Sequence, residues 1–290
     1  MEELYAILFK KIKSFAETHL GAPVTAALSI PSCFNDTQRS ATLTACEMAG
    51  LPLIKLISDP MAVAIAFAKD HQSEEEHYMF IDIGAGCFSA SLMSVDGDVF
   101  IVEAVGGSAE FGGFEFDKVL VEYFVKVILK RYGLEVGKEN GLMGVLLKEC
   151  ERVKIELSSE VEAVISVDLG DVPFSCSITR EKFEGLALPL FRKYHYEIEK
   201  VIENFPKHKI KNVIVSGGTT LIPKLQEITQ NLFYGKAPLR PTSNLLLQGA
   251  AFFATFRDEK LLQEVNPFDL SLKDFNGTFH VIIPKNSKIP

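Results

Sequence analysis

Between residues 1 and 70 the chain switches repeatedly between helical and extended hydrophobic periods, and this alternation narrows the folds open to it more than any other feature. Leu4, Leu8, Ile12 and Phe15 fall at helical spacing, and Gly21 with Pro23 closes that segment. Residues 24–30 form a short apolar run of strand length. Asn35 and Asp36 cap a second helix that stops at Gly50. Residues 53–57 are extended again, and Pro60 stands where a third helix begins. Helix, strand, helix, strand, helix is the order of an α/β layer with largely buried strands.

After an acidic, polar patch at 71–77 the pattern changes, and a second module begins. Strands are predicted at 78–83, 88–95 and 99–105, with Asp96-Gly97 as the tight turn between the last two. Helices follow at about 115–132 and 143–158, then a hairpin of 161–169 and 173–178 around Gly170-Asp171. Thr179 caps a long helix reaching Phe205. A strand at 211–216 ends in Gly217-Gly218, a helix runs from Pro223 to Phe233, and another covers about 245–256. Beyond Asp258 the pattern is strand-like, most clearly at 279–284.

Composition excludes several classes. Hydrophobic residues are 47% and charged residues 23% of 290, so the chain buries a core rather than staying disordered. With 22 phenylalanines and no tryptophan, that core is aliphatic plus phenylalanine. The net charge is −8 and no long Lys/Arg run occurs, which argues against nucleic acid. No apolar stretch approaches the roughly 18–20 residues of a membrane span. Acids at Glu2 and Glu3 stand where a signal peptide has bases. The five cysteines (Cys33, Cys46, Cys87, Cys150 and Cys176) are widely spaced, odd in number and free of CxxC pairs. They read as reduced thiols of a cytosolic (cytoplasmic) or nuclear compartment, without a metal-ligand set.

Two glycine loops carry the chemistry. In Ile81-Asp82-Ile83-Gly84-Ala85-Gly86 an aspartate closes a strand and small residues turn the chain. Without a Cβ, such backbone admits an anion to its N–H groups, and a carboxylate beside it can hold hydrated Mg²⁺. The same residues also suit an ordinary tight β-turn. In Val215-Ser216-Gly217-Gly218-Thr219-Thr220 a strand passes into a helix start, where amides favour phosphate or nucleoside. A close strand–helix packing turn is the alternative. Both loops end apolar strands of one module, where open α/β sheets bind ligands. Gly106-Gly107 and Gly112-Gly113 either line a cleft or form mobile connections. His195 reads as a surface or packing residue, the charges of Cys150-Glu151-Arg152 as the solvated face of a helix, and Glu74-Glu75-Glu76 as a solvated loop.

Taken together, the chain resembles the seventy-kilodalton heat-shock protein family of DnaK-type chaperones, in their actin-like ATPase domain. The resemblance rests on Ile30-Pro31-Ser32-Cys33-Phe34-Asn35-Asp36-Thr37-Gln38-Arg39, Ser58-Asp59-Pro60-Met61-Ala62, the Asp82 loop and Phe111-Gly112-Gly113-Phe114-Glu115-Phe116-Asp117. It continues through Cys150-Glu151-Arg152-Val153-Lys154, the Gly217-Gly218 loop to Lys224, and Gly249-Ala250-Ala251. These blocks keep the family's order, and several loops are similar to the divergent hundred-and-ten-kilodalton and Ssz-type groups.

The resemblance implies an actin-like (ribonuclease H-like) two-lobed α/β fold with an incomplete lobe I. Residues 1–72 and 244–258 would make partial lobe I, 76–111 and 190–243 the base of lobe II, and 112–189 its upper subdomain. Residues 259–264 would be a linker and 265–290 the start of a β-sandwich peptide-binding domain. It implies ATP or ADP with Mg²⁺ between the lobes. Asp82 would position Mg²⁺ through water. Gly84, Ala85, Gly86 and Cys87 would face phosphate. Gly112, Gly113, Glu151, Lys154 and Ser158 would face the nucleoside from the upper subdomain, with Gly217, Gly218 and Thr219 opposite. Partners would be other chaperones or co-chaperones, and the ribosome. The family's first phosphate loop and its catalytic lysine have no counterpart in residues 1–20. The usual threonine is Cys87, the usual second aspartate Ser89, the family glutamate Asp59, and the adenine-sandwiching arginines Ile155 and Leu221. The expectation is therefore nucleotide binding with weak or absent hydrolysis, or a nucleotide-independent scaffold. A sugar-kinase-type phosphotransferase on the same fold lacks a recognisable acidic base.

Overall fold

The computed structural model describes residues 2–68, 76–97, 99–137, 141–169, 172–240, 244–255 and 262–289. The first elements are α1 (Glu2–Leu20), β1 (Ala26–Ile30), α2 (Asp36–Met48), β2 (Leu53–Ser58) and α3 (Asp59–Ala68). Asn35 caps α2 through a reciprocal pair: its side chain accepts from the Gln38 N–H at 2.9 Å, and the Gln38 side chain accepts from the Asn35 N–H at 3.0 Å. Gly21 and Gly50 take positive φ where α1 and α2 end.

β1 and β2 pair in parallel as a two-stranded sheet. The expected α/β order is present, but the strands are less buried than expected, with only Ile30 of β1 buried. Two strands cover little area, so much of each strand meets solvent. The apolar spacing of α1 also resolves differently. Ala6 and Phe9 are the buried residues, packed on Ala45, Cys46, Ala49 and Leu51, while Leu4, Leu8, Ile12 and Phe15 are exposed.

The second sheet has the order β8-β3-β4-β5-β9. Its strands are β3 (Glu76–Ile83), β4 (Phe88–Asp96), β5 (Val99–Ser108), β8 (Ile210–Ser216) and β9 (Leu262–Gln263). β3, β4 and β5 run as an antiparallel meander, and β8 joins β3 in parallel. The Asp96–Val99 pairing places Gly97, at φ +55°, in the turn the sequence predicts. Alternation along β3 sorts its side chains between two layers. Met79, Ile81 and Ile83 join a large core with Phe111, Phe116, Phe124 and Phe191, whereas Tyr78 and Phe80 face α3.

Between β5 and β8 lie α4 (Gly113–Tyr132), α5 (Leu142–Ser159), β6 (Glu162–Leu169), β7 (Val172–Thr179), α6 (Arg180–Leu186) and α7 (Leu188–Val201). β6 and β7 form the expected antiparallel hairpin, whose turn residues Gly170 and Asp171 lie outside the described residues. The single long helix expected from Thr179 is instead two. Thr179 does cap α6, accepting from the Lys182 N–H at 3.2 Å, but Pro189 sits in the first turn of α7. Proline lacks an N–H and disfavours helical backbone just before it, so the helix restarts there. After β8 come α8 (Pro223–Leu232) and α9 (Leu245–Thr255), then a two-stranded antiparallel sheet of β10 (Leu270–Lys273) and β11 (Phe279–Ile283). The expected linker at 259–264 is only partly described, and its described end is β9, the fifth strand of the main sheet.

Candidate functional site

The two glycine loops meet because β3 and β8 are parallel neighbours with Asp82 opposite Ser216, 134 positions apart in sequence. The strands end together, so their following turns touch. Gly217, at φ +86°, lies so close that a Cβ there would overlap the carbonyl of Ile83. The Thr219 hydroxyl donates to the Gly84 carbonyl at 2.9 Å.

The turn from Gly84 to Cys87 is closed by the Gly84 N–H donating to the Cys87 carbonyl at 3.0 Å. This spends the Gly84 amide inside the turn. Among the described residues nothing accepts from the N–H of Ala85, Gly86 or Cys87, leaving these as the turn's unspent donors. Gly112-Gly113 lies against the same turn. The Gly113 N–H donates to the Gly84 carbonyl at 3.0 Å and the Phe114 N–H to the Ala85 carbonyl at 2.7 Å. A Cβ at Gly112 would meet the Ala85 carbonyl at 2.6 Å, and one at Gly113 the Thr219 hydroxyl at 2.5 Å. These glycines are therefore packed contacts and not mobile connections. Gly106 and Gly107 lie within β5, where a Cβ would run into Val201 and Phe88.

Lys154 of α5 is buried and donates to the Gly113 carbonyl at 3.1 Å. Its ammonium also pairs with Asp117 of α4 at 2.8 Å. Burial raises the Asp117 pKa, and the lysine opposes that rise. The Ser158 hydroxyl donates to the Lys154 carbonyl at 3.3 Å. Glu151 is exposed on α5, and Ile155 and Leu221 are 61% and 51% exposed. The amides after Gly217 head a 3-10 turn, Gly218–Leu221, rather than the α-helix expected there. Arg240 donates to the Thr220 carbonyl at 2.6 Å and braces that turn.

The first unit meets this site at its acidic end. Asp82 accepts from the Ser216 hydroxyl, and its pKa is raised, chiefly by burial. Asp59, at the start of α3, is pushed up to about 6 by burial and by the Asp82 carboxylate, against a hydrogen bond from Ser29. Cys33 lies on the segment after β1, its thiol 3.8 Å from the Phe88 carbonyl oxygen, and it shares a hydrogen bond with Cys87. That hydrogen bond lowers the Cys33 pKa and raises that of Cys87. Ser89, which replaces the family's second aspartate, is buried with no hydrogen-bond partner among the described residues.

Most of the expected site residues thus lie around one contact between two turns. Cys33, Asp117 and Ser216 complete the cluster, although the residues gave no separate reason to assign them roles. Asp117 lies 37 positions before its lysine partner, and pairing at that distance has no local pattern. A cavity of about 530 Å³ flanks the turn, lined by Ala85, Gly86, Glu110, Phe114 and Lys118. Another of about 620 Å³ lies between α2 and β2, away from the glycine turns. No helix of the described residues is long and apolar enough to cross a membrane. Comparison with known families finds that a family model described as Hsp70 protein matches residues 1–290.

Proposed function

The chain belongs to the Hsp70 family, and on that premise we propose that it is a divergent chaperone or co-chaperone that binds adenine nucleotide between its two units, with weak or absent hydrolysis. Family membership carries the actin-like ATPase fold and the general role of a chaperone working with co-chaperones. The nucleotide reading is supported chiefly by one observation: two glycine turns held together by the Thr219–Gly84 hydrogen bond, with unspent amides at Ala85, Gly86 and Cys87.

The residues fit Mg²⁺ with a phosphate chain. Asp82 and Asp59 are buried carboxylates, each costly to ionise through burial, and Asp82 adds to that cost at Asp59, which a hydrated cation would relieve. Bound Mg²⁺ would supply charge neutralisation for the phosphates. Asp82 would hold it through water, and Ala85, Gly86 and Cys87 would face the phosphates. Gly112 and Gly113 keep that side narrow, since any Cβ there would fill it. The nucleoside would lie along Glu151, Lys154 and Ser158, opposite Gly217, Gly218 and Thr219. Ile155 and Leu221 would pack on a purine by apolar contact alone, without the cation–π attraction of about 0.5–2 kcal/mol that arginine adds.

Weak hydrolysis follows from charge. Phosphoryl transfer depends on positioning and neutralisation of developing negative charge. The groups gathered around Asp82 are Asp59, Cys33, Cys87 and Ser216, none of them a cation, and Lys154 is spent on Asp117. A cytoplasmic site of action, with other chaperones and the ribosome as partners, completes the reading. Titration calorimetry with Mg-ATP and Mg-ADP tests it. Asp82→Ala should weaken Mg-ATP by about tenfold or more, or roughly 1.4 kcal/mol. An unchanged affinity removes Asp82 from the site. Absence of any saturable binding by the unaltered chain would instead favour a nucleotide-independent scaffold, the reading suggested by the committed Lys154.

A further inference from the structure

We propose that Cys33 and Cys87 form a reversible disulfide, a modification site that ties the segment after β1 to the glycine turn between β3 and β4. The two cysteines stand 54 positions apart and come from different units, yet their thiols share a hydrogen bond. The Cys33 sulfur also lies 3.8 Å from the carbonyl oxygen of Phe88, the residue that follows Cys87. A disulfide requires Cβ atoms brought close with little backbone movement, and the Phe88 contact already holds the Cys33 side chain within one residue of Cys87. The other three cysteines are placed apart. Cys46 is in the core between α1 and α2, Cys150 is on the buried face of α5, and Cys176 is on β7.

The surroundings set which thiol gives up its proton. Asp59 and Asp82 oppose negative charge on either sulfur, but the hydrogen bond with Cys87 outweighs them at Cys33, whereas Cys87 keeps its proton. Access is available from the side of β5. Cys33 lines a cavity of about 260 Å³ with Gly106, Gly107, Phe268, Asp269 and Lys285, while Cys87 is only half-buried. The Lys285 ammonium on that wall suits an oxidant bearing carboxylates.

The oxidant is a low-molecular-weight disulfide of the glutathione type. The Cys33 sulfur, having lost its proton, attacks one sulfur of that disulfide; the S–S bond breaks and one thiolate leaves. The Cys87 sulfur then attacks Cys33 in the mixed disulfide, giving up its own proton and releasing the second thiol. Two protein thiols and one external disulfide become one protein disulfide and two external thiols. The two electrons pass to the oxidant. The bond would hold the Gly84–Cys87 turn against the first unit without involving any nucleotide.

The test equilibrates the whole native chain with oxidised glutathione, blocks remaining thiols by alkylation and maps peptides without reduction. The expected result is a Cys33–Cys87 linked peptide and an intact mass lower by about 2 Da, for two hydrogens lost. Free thiols fall from five to three. Dithiothreitol should restore all of them, and both Cys33→Ser and Cys87→Ser should abolish the linked peptide. Stable glutathione adducts on both residues, full alkylation of both after equilibration, or linkage to a different cysteine would overturn the proposal. The map of the unaltered chain decides even if a variant fails to fold, and nucleotide affinity is not part of the readout.

Discussion

Asp59 shows how far one methylene and one neighbour can shift a residue's behaviour. Burial and the Asp82 carboxylate move its pKa from 3.8 to about 6. The folded chain therefore holds this proton more tightly than the unfolded chain. The contribution to stability is fully present below about pH 4 and is lost as pH rises through about 6. Asp59→Asn removes the buried charge, so the variant should be more stable than the parent above pH 7 by about 1–3 kcal/mol. The difference should shrink toward zero near pH 4. Denaturant unfolding between pH 4 and 8 measures it, and a difference that grows on acidification would contradict the assignment. Asp59 was readable in the sequence as the family glutamate shortened by one carbon. Its raised pKa was not readable, because Asp82 is a neighbour only in three dimensions.

Among elements, α3 and α9 approach each other closely. A Cβ at Gly249 would overlap the carbonyl of Ala62, so the two helices approach along backbone that only glycine permits. Met61, Val63, Ile65, Ala250 and Phe253 fill the rest of that contact and reach Tyr78 and Phe80 of the main sheet. Gly249→Ala should therefore force the helices apart, at a cost of about 1–3 kcal/mol for overpacking. A lowered midpoint in the first denaturant transition is the expected result, and an unchanged midpoint would mean the helices have room to separate. The Gly249-Ala250-Ala251 run was legible as a small-residue block, but its partner was not. The restart of α7 at Pro189 is the opposite case: proline chemistry was in the sequence, and a continuous polar–apolar pattern across it hid the break.

At the scale of the whole molecule, the main sheet is the middle layer and joins everything else. One face carries α4 to α8, and the other carries α3 and α9. Its far edge is extended by β9 beside β5, and the last segment is fastened nearby. The Ser58 hydroxyl donates to Glu264, Val265 bridges to Lys288, and the Asn286 side chain accepts from the Val105 N–H at 3.0 Å. Asn286→Ala leaves a partly buried N–H without its acceptor, at a cost of about 1 kcal/mol. Amide hydrogen exchange at Val105 and along β10 and β11 should then accelerate by about fivefold. Exchange that stays the same in β10 and β11 would show that the segment is held by other contacts.

The local identity of nearly every element was legible in the order of the amino acids. Period, caps and turn residues act over a few positions, so Asn35, Gly50, Asp96-Gly97 and Thr179 could be read without a fold. That order also marked both glycine loops, because the absence of a Cβ is a local property. Only the tertiary structure decided which of their atoms were left to bind anything. The parallel register of β3 and β8 brings Gly217 onto Ile83, the packing of Gly113 and Phe114 on the turn occupies the Gly84 and Ala85 carbonyls, and the pairing of α4 with α5 commits Lys154 to Asp117. The tertiary structure likewise placed Cys33 against Cys87, and gave the exposed stripe of α1 nothing to cover among the described residues. Each of these depends on contacts between positions tens of residues apart. Periodicity carries no information at that distance, whereas packing and hydrogen-bond partners do.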